Sequence, residues 1–369
     1  MSDEVQPSGK LSRRGFLIAL TASAMAAACR PSDRAVPTIY RGYNASLPPP
    51  THTPTRFVSG TPTPDAVFGA ITFDTPILTP IEDLYITQWN YSLTPEIAAE
   101  TYSLRVDGLV ESPQTYTLAD LRAMPAHEDT RVLECISNPV GGSLIGNLQW
   151  RGVLIQHILD QVKPLNNALW VRFEAADNYS TSVKREWITQ PLTMLAYEMN
   201  GAPLTKEHGF PLRIHMPGLY GQKMPRWLTR IEFIDYDYIG YWEAGGWSNT
   251  AEMKTKSILR SPAEGKEITA GNQIALQGVA VGGKRKITRI ELQIDEGDWL
   301  EAEMISGGGD LAWTQWFLEW TPPAPATYRI GVRATDASGF TQIVEGAGFF
   351  GGAFPDGTDA IHHISLRAV

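Results

Sequence analysis

Cys135 is the residue whose type and setting first suggest chemistry. The chain has two cysteines, and the other, Cys29, lies in an N-terminal segment described below, so a disulfide within the body of the protein is excluded. Cys135 follows a short strand-like run, residues 131–134, and precedes a turn over residues 136–142. A thiolate presented at the end of a strand suits a metal ligand or a nucleophile. The alternative is a small buried apolar side chain, which is how most free cysteines behave.

Several segments around Cys135 resemble, in the right order, motifs of the sulfite oxidase family of molybdenum enzymes. The resemblance spans about residues 75 to 345 of the chain. The segments are residues 133–138 (LECISN), similar to the family's cysteine loop; residues 104–110 (LRVDGLV), similar to the segment before it; residues 197–204 (YEMNGAPL) and 208–213 (HGFPLR); and residues 217–228, where Pro-Gly-x-x-Gly precedes Arg-Trp-Leu in place of the family's Lys-Trp-Leu.

This resemblance implies a cofactor, Mo-molybdopterin, in which one molybdenum is carried by a single pyranopterin and bound to the protein by one thiolate. It implies two-electron oxygen-atom transfer, with Cys135 as the metal ligand and with Cys135 and Asn138 as the catalytic residues. It also implies a set of residues that bind the pterin and its phosphate: Tyr85, Thr87, Asn90, Asp177, His208, Arg213, Gly218, Gly221, Lys223 and Arg226. The sequence contains no Cys-x-x-Cys-His haem motif, so we expect electrons to pass to or from a separate carrier, a cytochrome or a quinone-linked protein.

The chain departs from sulfite oxidases directly after the cysteine loop. Those enzymes have two arginines after the Cys-x-x-Asn pattern, whereas this chain has Pro139 and Val140. An anionic substrate such as sulfite would lose its charge partners there. The residues expected at the pocket mouth are instead neutral and aromatic, namely Tyr220, Trp242 and Trp247. We therefore predict a small substrate other than sulfite.

Two other functions remain open at this point. The chain could be an exported binding lipoprotein that keeps the fold without the metal, or a thiol enzyme that pairs Cys135 with a nearby histidine. The composition excludes other classes, because 43% apolar residues are too many for a disordered chain, and a net charge of −9 does not favour binding of nucleic acid phosphates.

The N-terminal segment predicts export. Arg13 and Arg14 precede an apolar run, residues 16–28, which is shorter than an ordinary membrane span and typical of a twin-arginine signal. Cys29 ends this run, so either a lipid is attached there or the signal is cleaved near Ala28. Residues 30–75 are rich in proline and threonine and predict an extended tether. We expect the mature protein in the periplasm or another extracytoplasmic compartment, as a membrane-anchored lipoprotein if a lipid is attached at Cys29.

The expected fold class is α+β. The resemblance predicts a sulfite-oxidase-like molybdopterin-binding domain at residues 76–261, with short helices at 118–124 and 154–162 and strands at 170–173 and 228–234. Period-two alternation predicts an antiparallel β-sandwich at residues 262–350, with strands at 274–276, 290–294 and 328–334 and a hairpin turn at 295–298. The family has an immunoglobulin-like dimerisation domain at this place, which implies a homodimer. Residues 351–369 are predicted to form a C-terminal tail.

Overall fold

The computed structural model describes residues 72–343, Glu345 and residues 349–369. The predicted export signal and nearly all of the predicted tether lie outside the described residues. The last tether residues, 72–75, are described and contact the second domain: the backbone carbonyls of Thr72 and Thr75 accept hydrogen bonds from Gln277 and Gln315 at 2.9 and 2.6 Å. Within the described part of the chain, no helix combines the length and apolar character needed to cross a bilayer.

The first domain contains a five-stranded sheet with strand order β2-β1-β10-β5-β6. Its strands are β1 (Ser103–Gly108), β2 (Gln114–Thr117), β5 (Trp170–Ala175), β6 (Ser180–Lys184) and β10 (Leu228–Ile234). β1 and β10 run parallel, and the other neighbours are antiparallel. In β1, Leu104 and Val106 are buried while Ser103 and Arg105 are exposed, the alternation expected of a strand with one covered face. The predicted strands at 170–173 and 228–234 are confirmed.

A second, antiparallel sheet in the first domain positions Cys135. Its order is β3-β4-β7-β8, and β9 pairs with β7. The strands are β3 (Ala126–Glu134), β4 (Ile145–Leu154), β7 (Met194–Met199), β8 (Ala202–Pro203) and β9 (Arg213–His215). Residues 135–144 connect β3 to β4, and we call this connection the cysteine loop. The two sheets share a large apolar core that includes Leu148, Trp150 and Phe173, all fully buried.

Helices in the described residues are few and short. They are α1 (Leu118–Ala123), α2 (Gln156–Val162), α3 (Arg185–Thr189) and α4 (Tyr241–Ala244), with 3₁₀ turns at Ile81–Asp83, Gly221–Lys223 and Phe349–Gly352. α1 confirms the predicted helix at 118–124, and Thr117 and Asp120 form a capping box at its start. α2 begins two residues later than predicted, because Leu154 still belongs to β4.

The second domain packs two sheets around an apolar core that includes Leu276, Leu292 and Trp316. The sheet orders are β11-β13-β17-β16 and β12-β19-β18-β14-β15. The strands are β11 (Lys256–Ser261), β12 (Glu267–Ile268), β13 (Ile274–Val281), β14 (Ile287–Ile294), β15 (Trp299–Glu301), β16 (Glu303–Ser306), β17 (Thr314–Trp320), β18 (Ala326–Asp336) and β19 (His362–Ala368). The three predicted strands lie in β13, β14 and β18, and residues 295–298 form the predicted turn between β14 and β15. A specific relation to the immunoglobulin fold stays a prediction.

The structure differs from the predicted C-terminal tail. β19 lies inside its sheet, antiparallel to β18 and parallel to β12, with Ile364 and Leu366 in the core. The residues before β19, which include several glycines and Pro355, show no strand pattern. The apolar alternation in β19 is too short to predict a strand by itself, and its pairing with β18 makes it one. Residues 362–368 therefore belong to the second domain.

A third apolar cluster joins the two domains beside the cysteine loop. It contains residues of that loop and of β3, together with residues of the second domain, such as Ile136, Met253, Ile258 and Trp313. The cysteine loop is consequently held between the two domains rather than exposed on the first one alone.

Candidate active site

The backbone of Cys135 is held on both sides. Cys135 is the first residue after β3; its N–H donates to the Leu144 carbonyl at 3.0 Å, and its own carbonyl accepts from the Asn138 N–H at 3.0 Å. The side chain is half-buried, and its Sγ lies 3.0 Å from the Ser137 Oγ. Ser137 is the hydrogen-bond partner of this thiol within the described residues, and no imidazole is. This geometry does not support a thiol–histidine pair.

Asn138 supports the cysteine loop through its side chain. Its Nδ2 donates to Glu134 Oε1 at 2.8 Å, and its Oδ1 accepts from the Leu144 N–H at 2.9 Å. Asn138 is fully buried. Because both ends of the amide are engaged in these bonds, Asn138 acts on the site by fixing the loop that carries Cys135.

Arg213, which is buried, and Arg226, which is half-buried, lie close enough for the charge of Arg226 to lower the pKa of Arg213. Arg213, on β9, is 3% exposed, and burial followed by the charge of Arg226 lowers its pKa to about 10. Its guanidinium donates to the carbonyls of His208 and Met224 at 3.3 and 3.5 Å, while its Nε has no partner within the described residues. Neither arginine has a carboxylate within ion-pair distance among the described residues. Two neighbouring cations without an ion pair favour binding of an anion.

Arg226 is anchored by the segment that precedes the first sheet. Its Nη2 donates to the Thr87 carbonyl at 2.9 Å and to the Gln88 Oε1 at 3.2 Å, and its Nη1 donates to the Glu207 carbonyl at 2.7 Å. Burial lowers the pKa of Arg226, and the nearby carboxylate of Asp177 opposes this effect. The sequence-predicted Thr87 thus contributes a backbone carbonyl that holds Arg226.

Asp177 and His208 also lie around these arginines. Asp177 is buried; its carboxylate accepts from the Trp89 Nε1–H at 3.1 Å and the Tyr179 N–H at 3.0 Å, and burial raises its pKa. His208 is 4% exposed, and burial, then the charges of Arg213 and Arg226, lower its pKa to about 4. His208 is therefore a neutral imidazole at physiological pH.

Tyr85 lies near enough to Cys135, Arg213 and Arg226 to be affected by their charges. Burial, then the nearby Cys135, raise the pKa of Tyr85 well above its ordinary value, while Arg213 acts in the opposite direction. Gly221 lies beside it: a Cβ at this position would be 3.3 Å from the Tyr85 hydroxyl and 3.4 Å from the Glu134 carbonyl. The absent side chain leaves space at the centre of the site.

Lys223, which the sequence predicted to bind the cofactor, is engaged with other residues of the protein. The Nζ of Lys223 is fully buried and contacts the carboxylate of Glu243, as well as Thr181, Ser182 and Asn249. Because an ammonium group has three N–H donors and Glu243 balances its charge, Lys223 has no donor for a phosphate, contrary to the prediction.

Gly218 and Asn90 make local contacts, and their predicted part in cofactor binding stays a prediction. Gly218 (φ +84°) accepts a hydrogen bond from the Met253 N–H at 2.9 Å and lies against Lys284 of the second domain. The Asn90 side chain accepts from the Ser92 N–H at 3.0 Å in a surface turn.

The loop after Asn138 is covered by the C-terminal part of the chain. The Val140 N–H donates to the Gly351 carbonyl at 3.1 Å, and a Cβ at Gly351 would be 2.5 Å from the Pro139 Cβ. Trp247 is half-buried, and its ring lies edge-on to Phe354 at a centroid distance of 5.1 Å. Pro139 and Val140 are thus covered by the Gly351 segment, while the next residue of the loop, Gly141, lies against the imidazole of His362.

The prediction that Tyr220 lines the pocket mouth is wrong. Its ring is fully buried, its hydroxyl accepts from the Lys254 N–H at 3.2 Å, and a Cβ on Gly357 would be 2.3 Å from that hydroxyl. Trp242 is half-buried and lies edge-on to Tyr241 at 5.1 Å.

Sequence reasoning missed Glu134 and Lys256. Glu134 Oε1 and Lys256 Nζ form an ion pair at 2.8 Å, with 0% and 4% of the side chains exposed. Lys256 belongs to β11 and is 122 residues away in sequence. In the sequence, the one sign of this ion pair was the acidic residue directly before Cys135. That residue alone does not indicate which cation it would pair with.

These residues fit Mo-molybdopterin. The half-buried thiol of Cys135 is a soft ligand suited to molybdenum, and Arg213 and Arg226, which form no ion pair within the described residues, suit a pterin phosphate. The unpaired Nε of Arg213 and the space left by Gly221 are the structural observations that carry this fit.

Comparisons with known proteins show the family of this chain. The family model for the oxidoreductase molybdopterin binding domain matches residues 91–242, and that for the Mo-co oxidoreductase dimerisation domain matches residues 248–345. The mitochondrial sulfite oxidase of Drosophila melanogaster is 30% identical over 303 residues, 69% of this chain and 52% of that protein. The uncharacterized oxidoreductase YuiH of Bacillus subtilis is 34% identical over 146 residues, 40% of this chain and 72% of that protein.

Two further similarities extend the comparison. Nitrate reductase [NADH] 2 of Phaseolus vulgaris is 28% identical over 277 residues, 60% of this chain and 31% of that protein. The chain thus spans about half the length of the Drosophila relative and about a third of the bean relative. The crystal structure of the sulfane dehydrogenase SoxCD from Paracoccus pantotrophus shares the fold, with a TM-score of 0.63, 24% identity and coverage of 74% of this chain and 79% of that one.

The fold and the site define a molybdopterin-dependent oxidoreductase. This chain belongs to the sulfite oxidase family, with a molybdopterin-binding domain followed by a Mo-co dimerisation domain, and its cofactor is Mo-molybdopterin, as the sequence predicted.

Proposed function

We propose that this protein is an exported oxidoreductase that catalyses two-electron oxygen-atom transfer on a small substrate other than sulfite. It works as a homodimer and exchanges electrons with a separate carrier, a cytochrome or a quinone-linked protein. One observation carries the proposal: the buried Arg213 and the half-buried Arg226 form no ion pair with a carboxylate of the described residues, and they lie in one cluster with Tyr85 and the half-buried thiol of Cys135.

Each of these residues has a defined part. The cofactor, when bound, supplies the oxygen-atom transfer and the two-electron redox chemistry. Cys135 holds its metal, and the loop bonds to Leu144 and Asn138 fix the orientation of the thiol. Arg213 and Arg226 bind the phosphate of the pterin, and neutral His208 and Tyr85 offer hydrogen bonds without adding charge.

The substrate side of the site favours a neutral molecule. The loop positions where sulfite oxidases have two arginines are Pro139 and Val140, and the Val140 N–H is already bonded to Gly351. An anion entering there would be desolvated without a cation from this loop. Sulfoxides and N-oxides carry a transferable oxygen without a net charge, so they are the substrate classes to test first.

Export and partners rest on the sequence. The Arg13-Arg14 pair and the apolar run up to Cys29 support transport by the twin-arginine route to the periplasm or another extracytoplasmic compartment. Cys29 is the site for a lipid anchor. The dimerisation-domain match supports the homodimer.

The proposal is tested by cofactor analysis of protein matured in a host that makes Mo-molybdopterin. We expect stoichiometric molybdenum and pterin, and we expect Cys135→Ser to lose activity while its circular dichroism and unfolding midpoint stay near those of the wild type. Cys29→Ser, the change of the other cysteine, is the matched control and should keep its metal and activity. Folded wild-type protein without molybdenum would instead favour a binding lipoprotein.

The substrate is tested by a screen of sulfoxides, N-oxides and sulfite with an artificial electron carrier. We expect turnover of a neutral oxide and little or no oxidation of sulfite. Fast sulfite oxidation would show that the inference from Pro139 and Val140 is wrong, without affecting the assignment of the cofactor.

A further inference from the structure

Lys256 contributes a buried charge from the second domain to the edge of the cysteine loop. Its Nζ lies 2.8 Å from Glu134 Oε1 and 3.4 Å from the Tyr220 hydroxyl. Burial by itself lowers the pKa of Lys256, but the Glu134 carboxylate and Tyr220 raise it above its ordinary value, so the group is charged. Lys256 is the first residue of β11, whereas Glu134 is the last residue of β3.

A series of hydrogen bonds connects Lys256 to the backbone of Cys135. The Glu134 Oε1 that binds Lys256 also accepts from Asn138 Nδ2 at 2.8 Å, and Asn138 Oδ1 accepts from the Leu144 N–H at 2.9 Å. The Leu144 carbonyl accepts from the Cys135 N–H at 3.0 Å. Every member of the network is therefore linked to the position of the thiol.

Glu134 has no second ion-pair partner among the described residues. Its Oε2 has no hydrogen-bond partner among the described residues, and its side chain is fully buried. Arg260, further along β11, forms no ion pair with Glu134 in the described structure; burial lowers the pKa of Arg260, and the charge of Glu134 offsets only part of this effect. If Lys256 lost its charge, the buried carboxylate would be uncompensated, and moving the end of β3 toward solvent would be the way to hydrate it.

We propose that Lys256 is a positioning residue that holds the cysteine loop, from the second domain, in the conformation in which Cys135 can bind the metal. The metal-ligand part of this inference rests on the proposed function. The loop-positioning part concerns this chain's own residues and is measurable without the cofactor.

The first readout is the reactivity of Cys135 in cofactor-free, full-length protein that carries Cys29→Ser. We expect Lys256→Met to increase the rate of alkylation by iodoacetamide at least about tenfold under folding conditions, because the loop opens more often. Lys256→Arg retains the ion pair and should react at nearly the wild-type rate. A wild-type alkylation rate in Lys256→Met would overturn the proposal.

Arg285→Met provides a matched control. Arg285 is also a cation of the second domain, forms an ion pair with the fully buried side chain of Asp336 at 2.7 Å and donates to the Met253 carbonyl, but it does not contact the cysteine loop. We expect this variant to be less stable yet to leave the alkylation rate of Cys135 unchanged. Equal acceleration in both variants would mean that general destabilisation, and not loop positioning, exposes the thiol, and would overturn the proposal.

A second variant keeps the test valid if Lys256→Met does not fold. Glu134→Met combined with Lys256→Met removes both charges, so no buried charge is left uncompensated, while Asn138 still loses its acceptor. We again expect faster alkylation, and an unchanged rate would contradict the proposal.

In cofactor-loaded protein, the electron paramagnetic resonance signal of the metal should shift in Lys256→Met and not in Arg285→Met. If the protein holds no molybdenum but alkylation still accelerates, the proposed function fails while the positioning role of Lys256 stands.

Discussion

Arg213 offers a sharp test, because its charge should have opposite effects on the protein with and without cofactor. Burial, together with the charge of Arg226, lowers the pKa of Arg213 from its ordinary value to about 10. This lowering corresponds to a cost of roughly 3 kcal/mol for keeping the guanidinium charged in the absence of an anion. Its hydrogen bonds to carbonyls are long, at 3.3 and 3.5 Å, and return only about 1 kcal/mol.

We therefore expect Arg213→Met to stabilise the cofactor-free protein by about 1–2 kcal/mol, allowing for the different packing of methionine against Trp150. In the loaded protein the same change removes a charge-assisted hydrogen bond to the phosphate, worth roughly 1.5–3 kcal/mol, so that the cofactor binds about 10- to 100-fold more weakly. The free energy of unfolding should rise without the cofactor and fall with it.

The assay is urea unfolding of protein from a host that cannot make molybdopterin and from one that can, with molybdenum content measured on the second preparation. Arg131→Met is the matched control: Arg131 is equally buried, but Asp129 balances its charge, with Nη2 and Oδ2 2.8 Å apart. This control should lose stability in both preparations. If Arg213→Met destabilised the cofactor-free protein as much as the loaded protein, Arg213 would be a structural residue, and its assignment to the phosphate would be refuted.

Two further predictions concern stability. Burial, with a contribution from Arg213, holds the pKa of His208 near 4, below its ordinary 6.5, so the unfolded chain binds a proton that the folded chain does not. The free energy of unfolding should lose nothing from His208 above about pH 6.5 and fall by up to roughly 3 kcal/mol toward pH 4. In urea unfolding, His208→Gln should make this pH dependence weaker. An unchanged pH dependence in the variant would show that His208 is not its source. Gly141→Ala should destabilise the protein by about 2–3 kcal/mol, because its Cβ would lie 2.2 Å from the His362 Nε2 at a φ of +73°. Gly271→Ala, at φ +79° with nothing within 4 Å, isolates the backbone cost and should lose only about 1 kcal/mol in the same assay; equal losses would argue against the contact with His362.

The sequence by itself determined the family, the cofactor and the thiol at the end of a strand. The residues that carry this information are contiguous: the run around Cys135 and the stretch that ends in Arg213 are short motifs whose local turns and strand ends need no knowledge of distant partners. Strand alternation in β13, β14 and β18 was equally readable, because the burial of every second residue is a local pattern.

Only the tertiary structure decided which charged groups are paired with an opposite charge and which remain available to bind an anion. Lys223 and Arg226 are both cations near one motif, yet Lys223 is neutralised by Glu243 on α4 and Arg226 has no carboxylate within ion-pair distance among the described residues. The pairing of Lys256 with Glu134 and the insertion of β19 into its sheet likewise join residues far apart in sequence. Such contacts are set by how the domains pack and which partner each buried charge meets, and a single sequence holds no local trace of either.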